Sequence, residues 1–160
     1  MFLLVGCEYP VLLAGLGARA GLSGGAAAVL FDDDQAVLAR RAAGREGFLL
    51  ESSMSRDGVV PFDDGVFDMA VVDDTRGGFA HRAPELRAAV LANVYRVLRK
   101  GGRIEIVEGL GGTGPLAKAT VRPAGYDAVQ ALETAGYRPV RVLAEVTNFR
   151  FVEGLKVTPA

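Results

Sequence analysis

The sequence predicts an α/β fold: a three-layer α/β/α sandwich around a mostly parallel, seven-stranded sheet. Two stretches carry that expectation. The first, Pro84 to Glu108, reads as a helix that turns straight into a buried strand. Pro84 suits a first helical turn, where a missing amide leaves no intrahelical bond unmade, and Glu85 favours the positive helix end. Leu86, Val90, Val94, Val97 and Leu98 form one apolar stripe at helical spacing. Arg99 and Lys100 are expected to complement the negative end, and Gly101 to close the helix in the left-handed conformation. Arg103 to Val107 then alternates polar and apolar side chains, as a strand does. The second stretch, Val60 to Asp74, reads as a turn, a strand and acidic residues at the strand's carboxyl end. Strand, helix and strand in that order make a βαβ unit.

The other elements follow along the chain. Phe2 to Val5 reads as the first strand, and Tyr9 to about Arg19 as a helix largely covered by Val11, Leu12, Leu13, Leu16 and Ala20. Gly21 to Gly25 is a loop, and Ala26 to Phe31 a buried strand ending in Asp32-Asp33-Asp34. Asp34 can cap a helix running to about Ala43, with Val37, Leu38 and Ala42 inward. Phe48 to Leu50 makes a short third strand, and Glu51 to Asp64 an irregular loop. Beyond the Gly-rich loop Gly109 to Ala124, a helix is expected from about Tyr126 to Ala135, closed by Gly136. Pro139 to Glu145 and Phe149 to Val157 are the last strands, an antiparallel hairpin joined by Val146-Thr147-Asn148.

The 160 residues suit a single domain, 1–160. A net charge of −1 gives no basic footprint and disfavours nucleic acid as a partner. Cys7 is the single cysteine, which excludes an internal disulfide and makes a cytoplasmic setting the expectation. The apolar start, Met1 to Cys7, lacks a positive leader and is too short to span a bilayer.

"VPFDDGVFDMAVV" at 60–72, followed by "VYRVLRKGGRIEIVE" at 94–108, resembles the class I S-adenosylmethionine-dependent methyltransferases of the type 11-like group. That family carries an "LPF-(D/P)-D-G-x-F-D" turn before its fourth strand and "RVLKPGG" before its fifth. "ALETAGYRPVRV" at 131–142 is similar to its penultimate helix and strand, so the resemblance covers nearly the whole chain. It implies a Rossmann-like sheet of seven strands with the last inserted antiparallel. It also implies S-adenosylmethionine as cofactor, held by a Gly-rich loop after strand one, an acid ending strand two and polar residues after strands three and four. Residue by residue, these positions fall on Gly6, Asp32, Asp57 and Asp73, and Asp74 could steer an acceptor.

Methyl transfer needs little covalent help, because the sulfonium is already reactive and the enzyme has only to align donor and acceptor. The loop after strand one departs from the family's "D-x-G-x-G-x-G". Only Gly6 matches; Leu4 replaces the acid, and Glu8 and Pro10 stand where glycines are usual. A partly desolvated Glu8 facing the donor's carboxylate would cost about 1–4 kcal/mol. Asp32 could equally cap the next helix, and Asp57 could be a solvated loop charge.

Other motifs are weaker. Gly15-Leu-Gly17-Ala-Arg-Ala20 fits a dinucleotide fingerprint but leaves too little room for a helix before Ala26. Gly21-Leu-Ser23-Gly-Gly25 fits G-x-S-x-G, yet a helix precedes it and a strand follows, the reverse of a nucleophile elbow. His81, the single histidine, could deprotonate an acceptor or be a surface loop residue. Gly111 to Pro115 lacks the G-K-[ST] of a phosphate loop, Cys7 reads as a small core residue, and one His with one Cys builds no usual zinc site. Two functions therefore stand side by side. One is a methyltransferase-like protein acting on a small-molecule acceptor; the other is a binding or scaffold subunit of the same fold, engaging a protein partner after losing its cofactor. The alternating final strand could help form a homodimer.

Overall fold

The computed structural model describes residues 1–20, 24–111 and 122–157. Its elements are β1 (Phe2–Val5), α1 (Pro10–Ala20), β2 (Ala26–Leu30), α2 (Asp33–Glu46), β3 (Leu50–Met54), β4 (Phe67–Asp74), α3 (Pro84–Val97), β5 (Leu98–Gly109), α4 (Ala128–Thr134), β6 (Val140–Val146) and β7 (Phe149–Leu155). They build one seven-stranded sheet in the order β3-β2-β1-β4-β5-β7-β6. The first five strands run parallel, and β7 lies antiparallel between β5 and β6. The expected hairpin and the antiparallel insertion are both present.

Strand alternation divides the core. Leu3, Val5, Val29, Val72 and Ile106 face Val90, Leu91 and Val94 of α3 and Leu132 of α4. Leu4, Ala28, Leu30 and Val71 face the other way, against Leu13 of α1 and Ala39 and Ala42 of α2. All four β1 residues are buried, as a central parallel strand requires. From β1 the chain continues to β2 on one side, whereas β4 pairs on the other, so a crevice opens at this switch point.

Several boundaries differ from the sequence reading. Helix α3 stops at Val97, and the fully buried Leu98 is already extended and paired with Phe67 of β4. Arg99 and Lys100 therefore belong to β5, and Arg96 is the basic residue of the last helical turn. Gly101 is left-handed, with φ 72°, but it bends the strand instead of closing the helix. Its neighbour is the constrained glycine: a Cβ on Gly102 would lie 2.8 Å from the Arg99 carbonyl oxygen and 3.2 Å from that of Asp68.

Asp32, not Asp34, caps α2, accepting the Gln35 amide at 2.8 Å. The inward face of α2 is Gln35, Ala39, Ala42 and Ala43, spaced by one helical turn, which leaves Val37 exposed. On α1 the buried residues are Leu13 and Gly17, and Val11 is 61% exposed. The third strand starts at Leu50 because Leu50 and Met54 align with Ala26 and Leu30. Phe48 instead packs over Gly17, where a Cβ would fall 2.2 Å from its ring, so the glycine pair of the dinucleotide fingerprint lies inside a helix. Helix α4 begins only at Ala128, capped by Asp127, and Gly136 closes it as expected, with φ 97° and Tyr137 N–H on the Leu132 carbonyl. The G-x-S-x-G serine and residues 112–115 lie outside the described residues. No described helix is long and apolar enough to cross a membrane.

Candidate functional site: the crevice at the ends of β1, β2 and β4

Gly6 follows directly on β1 with φ 77° and donates its amide to the Val29 carbonyl at 2.8 Å. A Cβ here would meet the Asp73 carbonyl oxygen at 3.4 Å and the Phe31 ring at 3.6 Å, so the conformation and the approach both suit glycine. Cys7 is fully buried, and burial pushes its thiol up to about 12, with the Asp73 and Glu8 charges adding to the effect. That is a core residue and not a nucleophile.

Asp73, 1% exposed at the end of β4, ties the crevice together. Its Oδ2 accepts the amides of Glu8 and Tyr9, each at 2.8 Å, and its Oδ1 accepts the Thr75 amide and hydroxyl at 3.2 and 2.7 Å. The two backbone donors that follow β1 are thus directed at a carboxylate of the chain itself.

Glu8 reaches across to the segment after β4. Its Oε2 accepts the Arg76 amide at 2.7 Å, and the Gly78 amide also bonds to the carboxylate. A Cβ on Gly78 would fall 1.7 Å from Glu8 Oε1, so glycine is required for this approach. Burial pushes Glu8 up to about 7, and the Asp73 and Asp74 charges add to it while the two amides oppose it.

Asp74 holds the far part of the same segment, its Oδ1 accepting Phe79 and Ala80 amides at 2.9 and 3.0 Å. Burial, with help from Glu108 and Asp73, pushes Asp74 up to about 6 against those amides. Glu108 of β5 is its neighbour in register, 1% exposed, with Arg122 and Arg150 each 3.4 Å from Oε2. Burial raises Glu108 as well, and the two arginines oppose the rise.

The segment ends at Arg82, whose guanidinium lies 3.9 Å above the Phe31 ring. Burial lowers Arg82, and the nearby charges of Asp32 and Glu8 hold it up. Phe31 in turn stands over Gly6, so ring and guanidinium lie above the junction of β1 and β2. From α3, Arg87 donates to the carbonyls of Ala80 and Arg82.

Of the four residues expected to hold a cofactor, Gly6 and Asp73 are brought together here. Asp32 is exposed at the end of β2 with one oxygen in the α2 cap, and Arg82 is the charged group that links it to the crevice. Asp57 lies beyond β3, exposed, accepting its own Val59 amide at 3.3 Å, the local turn of a loop aspartate. His81 is exposed, with Nδ1 2.7 Å from the Gly77 carbonyl oxygen. The sequence reading missed the partners of Glu8, the Arg82–Phe31 stack and the Asp74–Glu108 pair. Of these, only the acidic ends of two strands, "VVDD" and "IVEG", left a trace in the sequence.

A cavity of about 350 Å³ opens between α1 and β7, lined by Tyr9, Leu12, Leu16, Phe149 and Phe151. None of the four candidate residues lines it. Among the described residues no group of three or more His, Cys, Asp or Glu side chains could hold a metal ion.

This architecture, with its switch-point crevice, defines a class, and comparison with known proteins agrees. The family model described as a methyltransferase domain matches residues 4–106, and the chain belongs to that family. Among solved structures, it is similar to a SAM-dependent methyltransferase from Aquifex aeolicus, with TM-score 0.78 and 20% identity over 98% of this chain and 82% of that one. PigF with SAH aligns with TM-score 0.63 and 19% identity over 98% of this chain, which spans half the length of PigF. The cyclase SpnF aligns with TM-score 0.69 and 13% identity, over 99% of this chain and 75% of its own. The expected class I methyltransferase fold is the one present. No curated protein matches the sequence.

Proposed function

We propose that this chain is a non-catalytic member of the methyltransferase family, a binding or scaffold subunit whose donor crevice is filled by its own side chains. The observation that carries this reading is the commitment of the Glu8 and Tyr9 amides to Asp73, together with an Arg82 guanidinium stacked on Phe31. An S-adenosyl ligand needs free backbone donors after β1 and open space above β1 and β2, and this crevice as folded fits it poorly on both counts. Glu8, raised to about 7, adds partial negative charge where the ligand's own carboxylate would approach. The fold does not decide the matter, since the similar SpnF is described as a cyclase.

Retention of Asp32, exposed at the end of β2, favours a second reading: S-adenosylmethionine-dependent methyl transfer to a small-molecule acceptor. In that reading Gly6, Asp32, Asp57 and Asp73 would hold the cofactor, which supplies the electrophilic methyl group. Arg82 would first have to leave Phe31.

Calorimetric titration with S-adenosylhomocysteine separates the two. The expected result is no saturable heat up to millimolar ligand. Saturable micromolar binding that disappears in Asp32→Ala would overturn the proposal in favour of the second reading.

A further inference from the structure

We propose that the groove between α1 and β7 is the contact surface of a homodimer, in which α1 of each copy lies in the groove of the other and Arg19 meets Glu105 of the second copy. The dimer forms whether or not the crevice holds a ligand, because none of Gly6, Asp32, Asp57 and Asp73 lines this groove.

The two faces of the sheet are covered unequally. On one, α3 and α4 share a core with Ile104, Ile106 and Val152 of β5 and β7. On the other, α1 and α2 pack on β1, β2 and β3, and beyond α1 no described helix lies over β7 and β6. Strand alternation turns Phe149, Phe151 and Glu153 of β7 to this open face, with Glu105 and Val107 of β5 beside them in register. The two phenylalanines stay half-buried there. Since β7 lies inside the sheet, it offers a partner this face and not an edge. The cavity of about 350 Å³ beside Tyr9 and a second of about 440 Å³ share Leu12, Leu16, Arg19, Val107 and Phe151, so together they form one groove along α1.

The rim of that groove is a bare ridge. Val11, Gly15 and Arg19 follow one another at four-residue spacing on α1. Val11 is 61% exposed, and a Cβ on Gly15 would meet nothing within 4 Å. A ridge and a groove on one surface suit a twofold contact, which sets each ridge into the other copy's groove. The charges agree with it. Arg19 is exposed, Glu105 is half-buried, both line the groove, and neither makes a hydrogen bond or ion pair among the described residues. Arg103, the cation that acts on Glu105, is committed to Glu153, which repels Glu105 from directly across the strand pair. An apolar small molecule in the groove would satisfy neither charge. A second copy satisfies both, and by symmetry does so twice.

Sedimentation equilibrium over a micromolar concentration series tests the dimer on wild type, Arg19→Glu, Glu105→Arg, the double variant and Val11→Asp, each first checked for wild-type circular dichroism. Wild type should be dimeric. Each single reversal creates two like-charge contacts in the dimer and should weaken association by at least about tenfold. The double variant exchanges the two signs across the contact and should return association to near the wild-type value. Val11→Asp changes an exposed ridge residue without entering the core, so it should dissociate the dimer and decides the matter if a reversal unfolds the chain. A wild type that stays monomeric throughout would overturn the proposal and leave the groove to a different occupant. A dimer indifferent to these variants, or a double variant as weak as the single ones, would overturn it as well.

Discussion

Replacing Glu8 with glutamine should stabilise the protein at pH 8 and flatten part of its pH dependence. In the unfolded chain this carboxyl titrates near 4.5, and in the folded chain burial raises it to about 7. Between those values the folded state holds a proton that the unfolded state has released. Stability from this group is therefore complete below pH 4.5 and is lost as pH rises through 7. The gap corresponds to at most about 3 kcal/mol, and partial solvent access reduces the expected loss to about 1–2 kcal/mol. Asp74, raised from 3.8 to about 6, contributes with the same sign over its own, lower window. Asp68 works in the opposite sense: the N-terminal ammonium and Arg99 lower it, so its contribution is lost below pH 3.8, outside the measured range. Urea denaturation followed by circular dichroism at pH 4.5, 6 and 8 measures the effect. Relative to wild type, Glu8→Gln should lose slightly at pH 4.5, where one amide bond is weakened, and gain about 1–2 kcal/mol at pH 8. A difference between the two proteins that stays constant with pH would refute the assignment of this titration to Glu8.

Two further outcomes test the framework. Gly102→Ala should destabilise by about 1–3 kcal/mol, because its Cβ meets backbone at 2.8 Å that no rotamer change can move, and the melting temperature should fall accordingly. Asp32→Ala should cost about 0.5–2 kcal/mol in urea denaturation through loss of the α2 cap, whether or not a ligand binds.

The fold was legible in the sequence because its signals are local and repeated. Leu3 to Val5 and Ala26 to Leu30 are continuous apolar runs that suit strands buried on both faces. The two glycines after "RVLRK" signalled a strand following α3, though local propensity misjudged the junction: β5 already begins at Leu98, and both glycines lie within it. Pairing of Leu98 with Phe67 overrides helix continuation there, and that pairing spans 31 residues. The Val37 error has the same root: an apolar residue says that burial is favourable, but the direction of the helix decides which residues receive it.

The candidate site divides along the same line. Gly6, Asp32 and Asp73 could be placed at strand ends from sequence alone, since strand order and the acidic ends fix their height above the sheet. Their occupancy could not be read. Glu8 bonds to Arg76 across 68 residues, and Asp73 to Glu8 across 65, so no window of sequence contains both partners. Primary structure by itself determined the family, the mostly parallel sheet and the presence of Glu8 and Pro10 after β1. Tertiary structure alone decided which amides Asp73 and Glu8 accept, because a carboxylate's hydrogen bonds depend on which distant backbone amides the fold brings to it.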